Sequence, residues 1–127
     1  SLVLAGLLFI IECSFFHQST DVTSKNENKG VLSAGYFHTC AIESRPGVEY
    51  GGALKCWGLD NKGQASPPPG IFNYISCGHF FSCAIGLAGA LKCWGDINNI
   101  PKGSFTHVSC GQNHVCGLKI DGTVKCW

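Results

Sequence analysis

The sequence contains no methionine, and only 13% of its 127 residues are charged, 9 Lys and Arg against 8 Asp and Glu. Charge this sparse and balanced excludes a basic nucleic-acid surface, and the 45% of hydrophobic residues excludes a disordered tail. No apolar run reaches the about 20 residues that a bilayer-spanning helix needs. The longest, Leu2 to Ile11, is half that and is closed by Glu12. No Asn-x-Ser/Thr glycosylation site, P-loop, nucleophile elbow or kinase element occurs. Beyond residue 30 no stretch of helical length carries a 3.6-residue period. With no methionine and an ending on Cys126-Trp127, the sequence is expected to be a piece of a longer chain. Its length suits one domain at most.

Cysteine and glycine are abundant, with 9 and 17 residues. The apolar segment near the start matches the hydrophobic part of a secretory signal peptide rather than a core element. His17 to Gly30 is polar with Val22 as its one apolar residue. We therefore read 1–18 as signal-like, 19–30 as a polar linker and 31–127 as the folded part. Export places the thiols in an oxidising compartment.

From Val31 the chain repeats itself, and a repeat decides the architecture before any single motif does. Ala34-Gly-Tyr-Phe-His-Thr-Cys-Ala-Ile42, Cys77-Gly-His-Phe-Phe-Ser-Cys-Ala-Ile85 and Cys110-Gly-Gln-Asn-His-Val-Cys-Gly-Leu118 align directly. Each is followed by a second shared block: Leu54-Lys-Cys-Trp-Gly58, Leu91-Lys-Cys-Trp-Gly95 and Val124-Lys-Cys-Trp127. All three tryptophans, Trp57, Trp94 and Trp127, occupy one slot. The units run roughly over 31–73, 74–106 and 107–127, the last incomplete. Tyr74–Cys77 and His107–Cys110 read as short strands ending at Gly78 and Gly111. Two further β-prone runs in each unit flank a glycine-containing turn, the pattern of a hairpin. Ile120-Asp121-Gly122 predicts a three-residue turn with Gly122 in the left-handed region. Three-stranded all-β units in tandem are blades, so the expected fold is a partial β-propeller of about three short blades.

That register gives the cysteines a structural role. A turn at 120–122 sets Lys119 opposite Thr123 and so Cys116 opposite Cys126, at the Cα separation that a disulfide tolerates. The same slots pair Cys83 with Cys93 and, across a longer loop, Cys40 with Cys56. Cys13 falls in the signal-like segment. Cys77 and Cys110 share a slot in which the first unit has Ala34, and they either bridge adjacent blades or stay as small buried thiols. Zinc is the rival reading, since Cys77 lies near His79 and Cys110 near His114. The C-x5-C and C-x9-C spacings and the lack of a C-x2-C clamp argue against it.

The combined blocks, with Asp60-Asn-Lys-Gly-Gln64 and Pro67-Pro-Pro69, resemble the regulator of chromosome condensation repeat. The resemblance is greater to its secreted, cysteine-bearing branch, which includes the ectodomains of plant Crinkly-type receptor-like kinases; the β-lactamase inhibitor protein II is a more distant relative. It covers Val31 to Trp127 and implies a propeller, commonly of seven blades. The Gly-Gln step is present at Gly63-Gln64, whereas the second unit departs from the pattern with Asp96-Ile-Asn-Asn-Ile-Pro101. Nuclear members act in nucleotide exchange on a small GTPase through an inserted wedge that has no counterpart here.

No residue reads as catalytic, cofactor-binding or metal-ligating. Gly35, Gly58, Gly78, Gly95 and Gly111, His38 and His114, and the three tryptophans recur by unit and read as structural repeat positions. The column Lys55, Lys92 and Lys125 beside each Trp reads equally as a binding stripe or as snorkelling side chains at a blade edge. The expected function is a non-catalytic extracellular recognition propeller, secreted or on the outer face of the plasma membrane, that binds a protein or peptide partner through loops at one end of its blades. The alternative is the ectodomain of a plant receptor-like serine/threonine kinase, with a membrane tether beyond this sequence. A weaker alternative is a cell-wall carbohydrate binder using Tyr36, Phe37 and Phe80.

Overall fold

The computed structural model describes residues 32–44 and 50–127; the signal-like segment and the polar linker lie outside them. Nine strands follow one another: β1 (Leu32–Ala34), β2 (His38–Ser44), β3 (Gly52–Gly58), β4 (Phe72–Cys77), β5 (Phe81–Gly86), β6 (Leu91–Gly95), β7 (Phe105–Cys110), β8 (Val115–Lys119) and β9 (Val124–Cys126). They form three antiparallel blades, β1–β3, β4–β6 and β7–β9, each a simple meander. Single bridges, Gly52 to Phe72 and Ala90 to Ser104, touch one blade to the next at the end away from the β1–β2, β4–β5 and β7–β8 turns. The chain is thus a partial β-propeller.

Hairpin register follows turn chemistry. In the third blade Gly122 adopts φ +85°, and the Lys119 N–H donates to Thr123 O at 2.8 Å. Asp121 secures the turn by accepting from the Thr123 N–H and hydroxyl. The register places Cys40, Cys83 and Cys116 opposite Cys56, Cys93 and Cys126, and the three pairs are disulfide-bonded. Strands β4 and β7 start earlier than the apolar runs at Tyr74 and His107. A bulge after Phe72, and another after Phe105, breaks the alternation and hides these strand starts from a period-2 reading. Both phenylalanines are nevertheless buried.

A blade is wetted on neither face once it has neighbours on both sides, and β5 is buried at every position. Ile75, Cys77, Ala84 and Trp94 of the second blade pack with Cys40, Ile42, Leu54 and Cys56 of the first. Phe81, Cys83, Ile85, Leu91 and Cys93 pack on the opposite side against Phe105, Val108, Val115 and Trp127 of the third. The core is therefore two seams between blades rather than one central cluster.

Hydrogen bonds stitch these seams in register. Ser33 Oγ accepts the Cys77 N–H, and Ser76 Oγ accepts the Cys110 N–H, each at 3.0 Å. Ser33, Ser76 and Ser109 occupy one slot in β1, β4 and β7. The loop leaving β3 plugs the first seam with Gln64, whose backbone carbonyl accepts from the Trp94 indole at 2.9 Å and from the Ser82 hydroxyl at 3.2 Å. Its side chain accepts the Lys62 N–H and donates to Asn61 Oδ1, which holds the loop in shape.

Among the described residues, the outer blades each leave one face uncovered. On the first, Trp57 is 51% exposed and Leu32 66%, and Val124 is 66% exposed on the third. Two results follow. Ser76→Ala, which orphans the Cys110 N–H, should lower stability by about 1–2 kcal/mol, read as an earlier urea midpoint at unchanged slope. The 31–127 chain alone should self-associate through apolar faces of several hundred Å², read by sedimentation velocity. A cooperatively melting monomer would contradict the second.

Candidate functional site

The turns β1–β2, β4–β5 and β7–β8 all emerge at one end of the blades, and each has the same construction. Gly35, Gly78 and Gly111 donate their N–H to the carbonyls of His38, Phe81 and His114 at 2.7, 2.8 and 2.8 Å. Each bond closes a two-residue turn. The ring three positions on lies flat over the glycine: a Cβ on Gly35 would come 2.7 Å from His38 Cε1, and one on Gly78 would come 2.5 Å from Phe81 Cζ. Glycine is required there because a ring occupies the space. The tight turn then has no freedom to fold its two central side chains inward.

Those side chains are Tyr36-Phe37, His79-Phe80 and Gln112-Asn113. The first four rings form a continuous array. Tyr36 meets Phe37 edge-on at 4.5 Å between centroids and His79 at 4.5 Å, and His79 stacks on Phe80 at 3.9 Å. Tyr36 and Phe37 are 67% and 52% exposed, although aromatic groups of this size dominate burial energetics when covered. Beside them lies a cavity of about 320 Å³ between the ends of β1, β4 and β7, with the three turn glycines, Tyr36, His79 and Gln112 on its walls. The same end carries Leu59, whose N–H donates to Phe37 O, and Asp96, whose N–H donates to Phe80 O. Lys62 approaches Asp96 at 3.9 Å across the surface.

Behind the array, the first seam holds a buried polar cluster. His38, only 3% exposed, lies with Nε2 2.7 Å from Ser82 Oγ. Ser82 Oγ also contacts Cys77 Sγ at 3.5 Å and Cys40 Sγ at 3.8 Å. His38 Nδ1 is buried without a partner. Since Ser82 donates to Gln64 O, the tautomer that leaves no donor orphaned has Nε2–H donating to Ser82. Nδ1 is then a bare acceptor, which costs less than a buried N–H without a partner. Burial holds the imidazole pKa below its ordinary value, partly offset by Asp60, and burial pushes the Cys77 thiol up. Burial likewise raises Cys110, to about 11. In the second seam the corresponding positions are Phe81 and Val115, and the cluster is apolar.

His38, Cys40 and Cys77 place their donor atoms within 4.8 Å of one another, but Cys40 is bridged to Cys56. While that bridge stands, two donors remain where structural zinc takes four. His79 and His114, the histidines that spacing placed near Cys77 and Cys110, project from the turn or lie exposed instead. Trp94 and Trp127 pack in seams, whereas Trp57 faces outward because nothing among the described residues covers its blade. Gly58 and Gly95 end β3 and β6 with φ +106° and +93°. Lys55, Lys92 and Lys125 are exposed, and Lys92 Nζ lies over the Phe72 ring at 5.9 Å. Sequence reasoning passed over Ser33, Ser76 and Ser82, and named Gln64 only as part of the Gly-Gln step. The recurrence of Ser before the Ala34, Cys77 and Cys110 slot was the available signal for the first two.

Residues 105–127 match the Regulator of chromosome condensation (RCC1) repeat. Two solved plant ectodomains are similar over most of the length of this chain. One is the entire ectodomain of the Physcomitrella patens receptor kinase CR4, 35% identical, with a TM-score of 0.63 over 76% of this chain and 29% of that one. The other is the Crinkly WD40 ectodomain of the Arabidopsis thaliana receptor kinase ACR4, 33% identical, with a TM-score of 0.61 over 76% of this chain and 35% of that one. Yeast RCC1 (Prp20), solved bound to Kap60, shares the fold at 16% identity, with a TM-score of 0.62 over 76% of this chain and 31% of that one. The chain thus spans about a third of each of these proteins. No curated protein matches it.

The His38 environment sets a pH dependence. Unfolded histidine titrates near about 6.5, and burial lowers the folded value, so below that pH the unfolded chain binds the extra proton. This stability is whole above about pH 6.5 and falls as pH drops toward the folded pKa. His38→Phe, which copies Phe81 of the next blade, should flatten the difference between urea midpoints at about pH 7.5 and about pH 5. An unchanged difference would place the pH sensitivity elsewhere.

Proposed function

We propose that the chain is part of a non-catalytic extracellular recognition propeller that binds a protein or peptide partner through the turn end of its blades. The observation that carries this reading is the ring array Tyr36-Phe37-His79-Phe80, held out by glycine-locked turns beside a cavity of about 320 Å³. Rigid aromatic groups beside a concavity supply contact area at small cost in conformational entropy, the composition of interface anchors. The surrounding polar groups, Lys62, Asp96, Gln112 and Asn113, have the character of an interface rim. Three disulfides and the signal-like segment support an address outside the cell.

Within that reading, the ectodomain of a plant receptor-like kinase is the favoured setting, supported by the 35% and 33% identities to two such ectodomains. Any kinase would lie outside this sequence, and the described blades carry no catalytic constellation. The 16% identity to yeast RCC1 (Prp20) speaks for fold alone and lends nothing to nucleotide exchange.

Display of the oxidised chain against a random peptide library and an oligosaccharide array tests the reading. Peptides should be enriched, and a Tyr36→Ala/Phe80→Ala variant should lose them while keeping its melting transition. Losing two interface anchors of this type costs several-fold to a hundredfold in affinity, about 1–3 kcal/mol. Enrichment of saccharides without peptides would transfer the site to carbohydrate.

A further inference from the structure

We propose that Cys77 exchanges with the Cys40–Cys56 disulfide, replacing a bridge within the first blade by a Cys40–Cys77 bridge across the seam and freeing the Cys56 thiol. Cys77 and Cys40 place their sulfurs within 4.8 Å. The Ser82 hydroxyl touches both, at 3.5 and 3.8 Å. Closing to a disulfide asks the two sulfurs to approach by less than about 3 Å. The approach is held in register: the Cys77 N–H donates to Ser33 Oγ, and Ser33 lies directly opposite Cys40 in the β1–β2 pairing.

The chemistry balances without an oxidant or reductant. The Cys77 thiolate attacks Cys40 Sγ, a Cys77–Cys40 S–S bond forms, and the Cys40–Cys56 bond breaks. The bonding pair leaves on Cys56 Sγ, which takes from solvent the equivalent of the proton that Cys77 gave up. One thiol and one disulfide stand on each side. With the seam closed, burial keeps Cys77 protonated and at rest, so attack follows local opening of the seam. The product differs in two ways: the first blade is tied covalently to the second, and the thiol has moved to β3, where Cys56 is half-buried next to the exposed Trp57.

The second seam is an internal control. Cys110 sits in the same slot, yet its thiol donates to Ser76 O at 3.2 Å, and Val115 stands where the first seam has Ser82.

The experiment uses the whole oxidised chain at about pH 8, where a thiol has a reactive fraction, in urea just below the unfolding midpoint. Thiols are trapped with N-ethylmaleimide at intervals, followed by trypsin and non-reducing mass mapping. The peptides 30–55 and 56–62 carry Cys40 and Cys56, and 63–92 carries Cys77 together with Cys83, which ties it to 93–102 through Cys93, so fragmentation assigns label and linkage between Cys77 and Cys83. Exchange puts label on Cys56 but none on Cys40, and joins 30–55 to 63–92. Simple reduction instead labels Cys40 and Cys56 alike. Cys77→Ser should abolish the Cys56 label, and Cys110→Ser should leave it. The wild-type map reads the exchange by itself, should Cys77→Ser fold poorly. Label on Cys77 with none on Cys56, no label on either, or Cys56 label persisting in Cys77→Ser with Cys40 still blocked overturns the proposal.

Discussion

Every blade here has to bury both of its faces, and a three-stranded meander offers no helix or second sheet of its own with which to do so. The middle strand β5 shows the constraint at its strictest, with no exposed position. Much else follows from it. Serine hydroxyls replace the main-chain partners that strands in different blades cannot supply, which is why Ser33 and Ser76 serve the amides of Cys77 and Cys110. A linker returns to fill the gap that two twisted sheets leave, and Gln64 buries itself to cap the indole of Trp94. The disulfides run across hairpins within each blade, where a sheet with so small a core of its own has most need of a covalent tie.

Rigidity at the turn end is bought by the same packing. A glycine under a buried ring leaves one conformation to the two residues between them, so Tyr36, Phe37, His79 and Phe80 are displayed in place rather than collapsed. The scaffold's demands stop at the glycine and the ring. What stands on the turn is free to differ, and the third turn carries Gln112 and Asn113 on the same frame. Recognition surfaces on repeat folds commonly arise in this way, from variable tips on an invariant support.

The repeat, the strands and the cysteine register were legible in the sequence because each is a local matter: a recurring block, a period of two, a turn that sets which residues face each other. The starts of β4 and β7 were not, since the bulges after Phe72 and Phe105 interrupt the alternation. The ring array was half visible. Tyr36, Phe37 and Phe80 stood out as aromatic, but their contiguity depends on two turns being brought side by side by seam packing. His79, read beside Cys77 as a rival metal ligand, proved to be the ring that joins the turns. The Ser82 cluster was invisible for the same reason, being assembled from strands of different blades.

The departure of Asp96-Ile-Asn-Asn-Ile-Pro101 from the Gly-Gln pattern has a thermal corollary. Where Gln64 answers the Trp94 indole, the second linker presents Ile97 to its seam, and the Trp127 indole N–H is buried with no acceptor among the described residues. Both seams keep a serine bond to a cysteine amide, Ser33 to Cys77 and Ser76 to Cys110, but the first adds the polar contacts of Gln64, Ser82 and His38 that the second replaces with apolar ones. Apolar association is driven by entropy near room temperature and weakens on cooling. The second junction leans more on apolar contact than the first, so cooling should weaken it by the larger share.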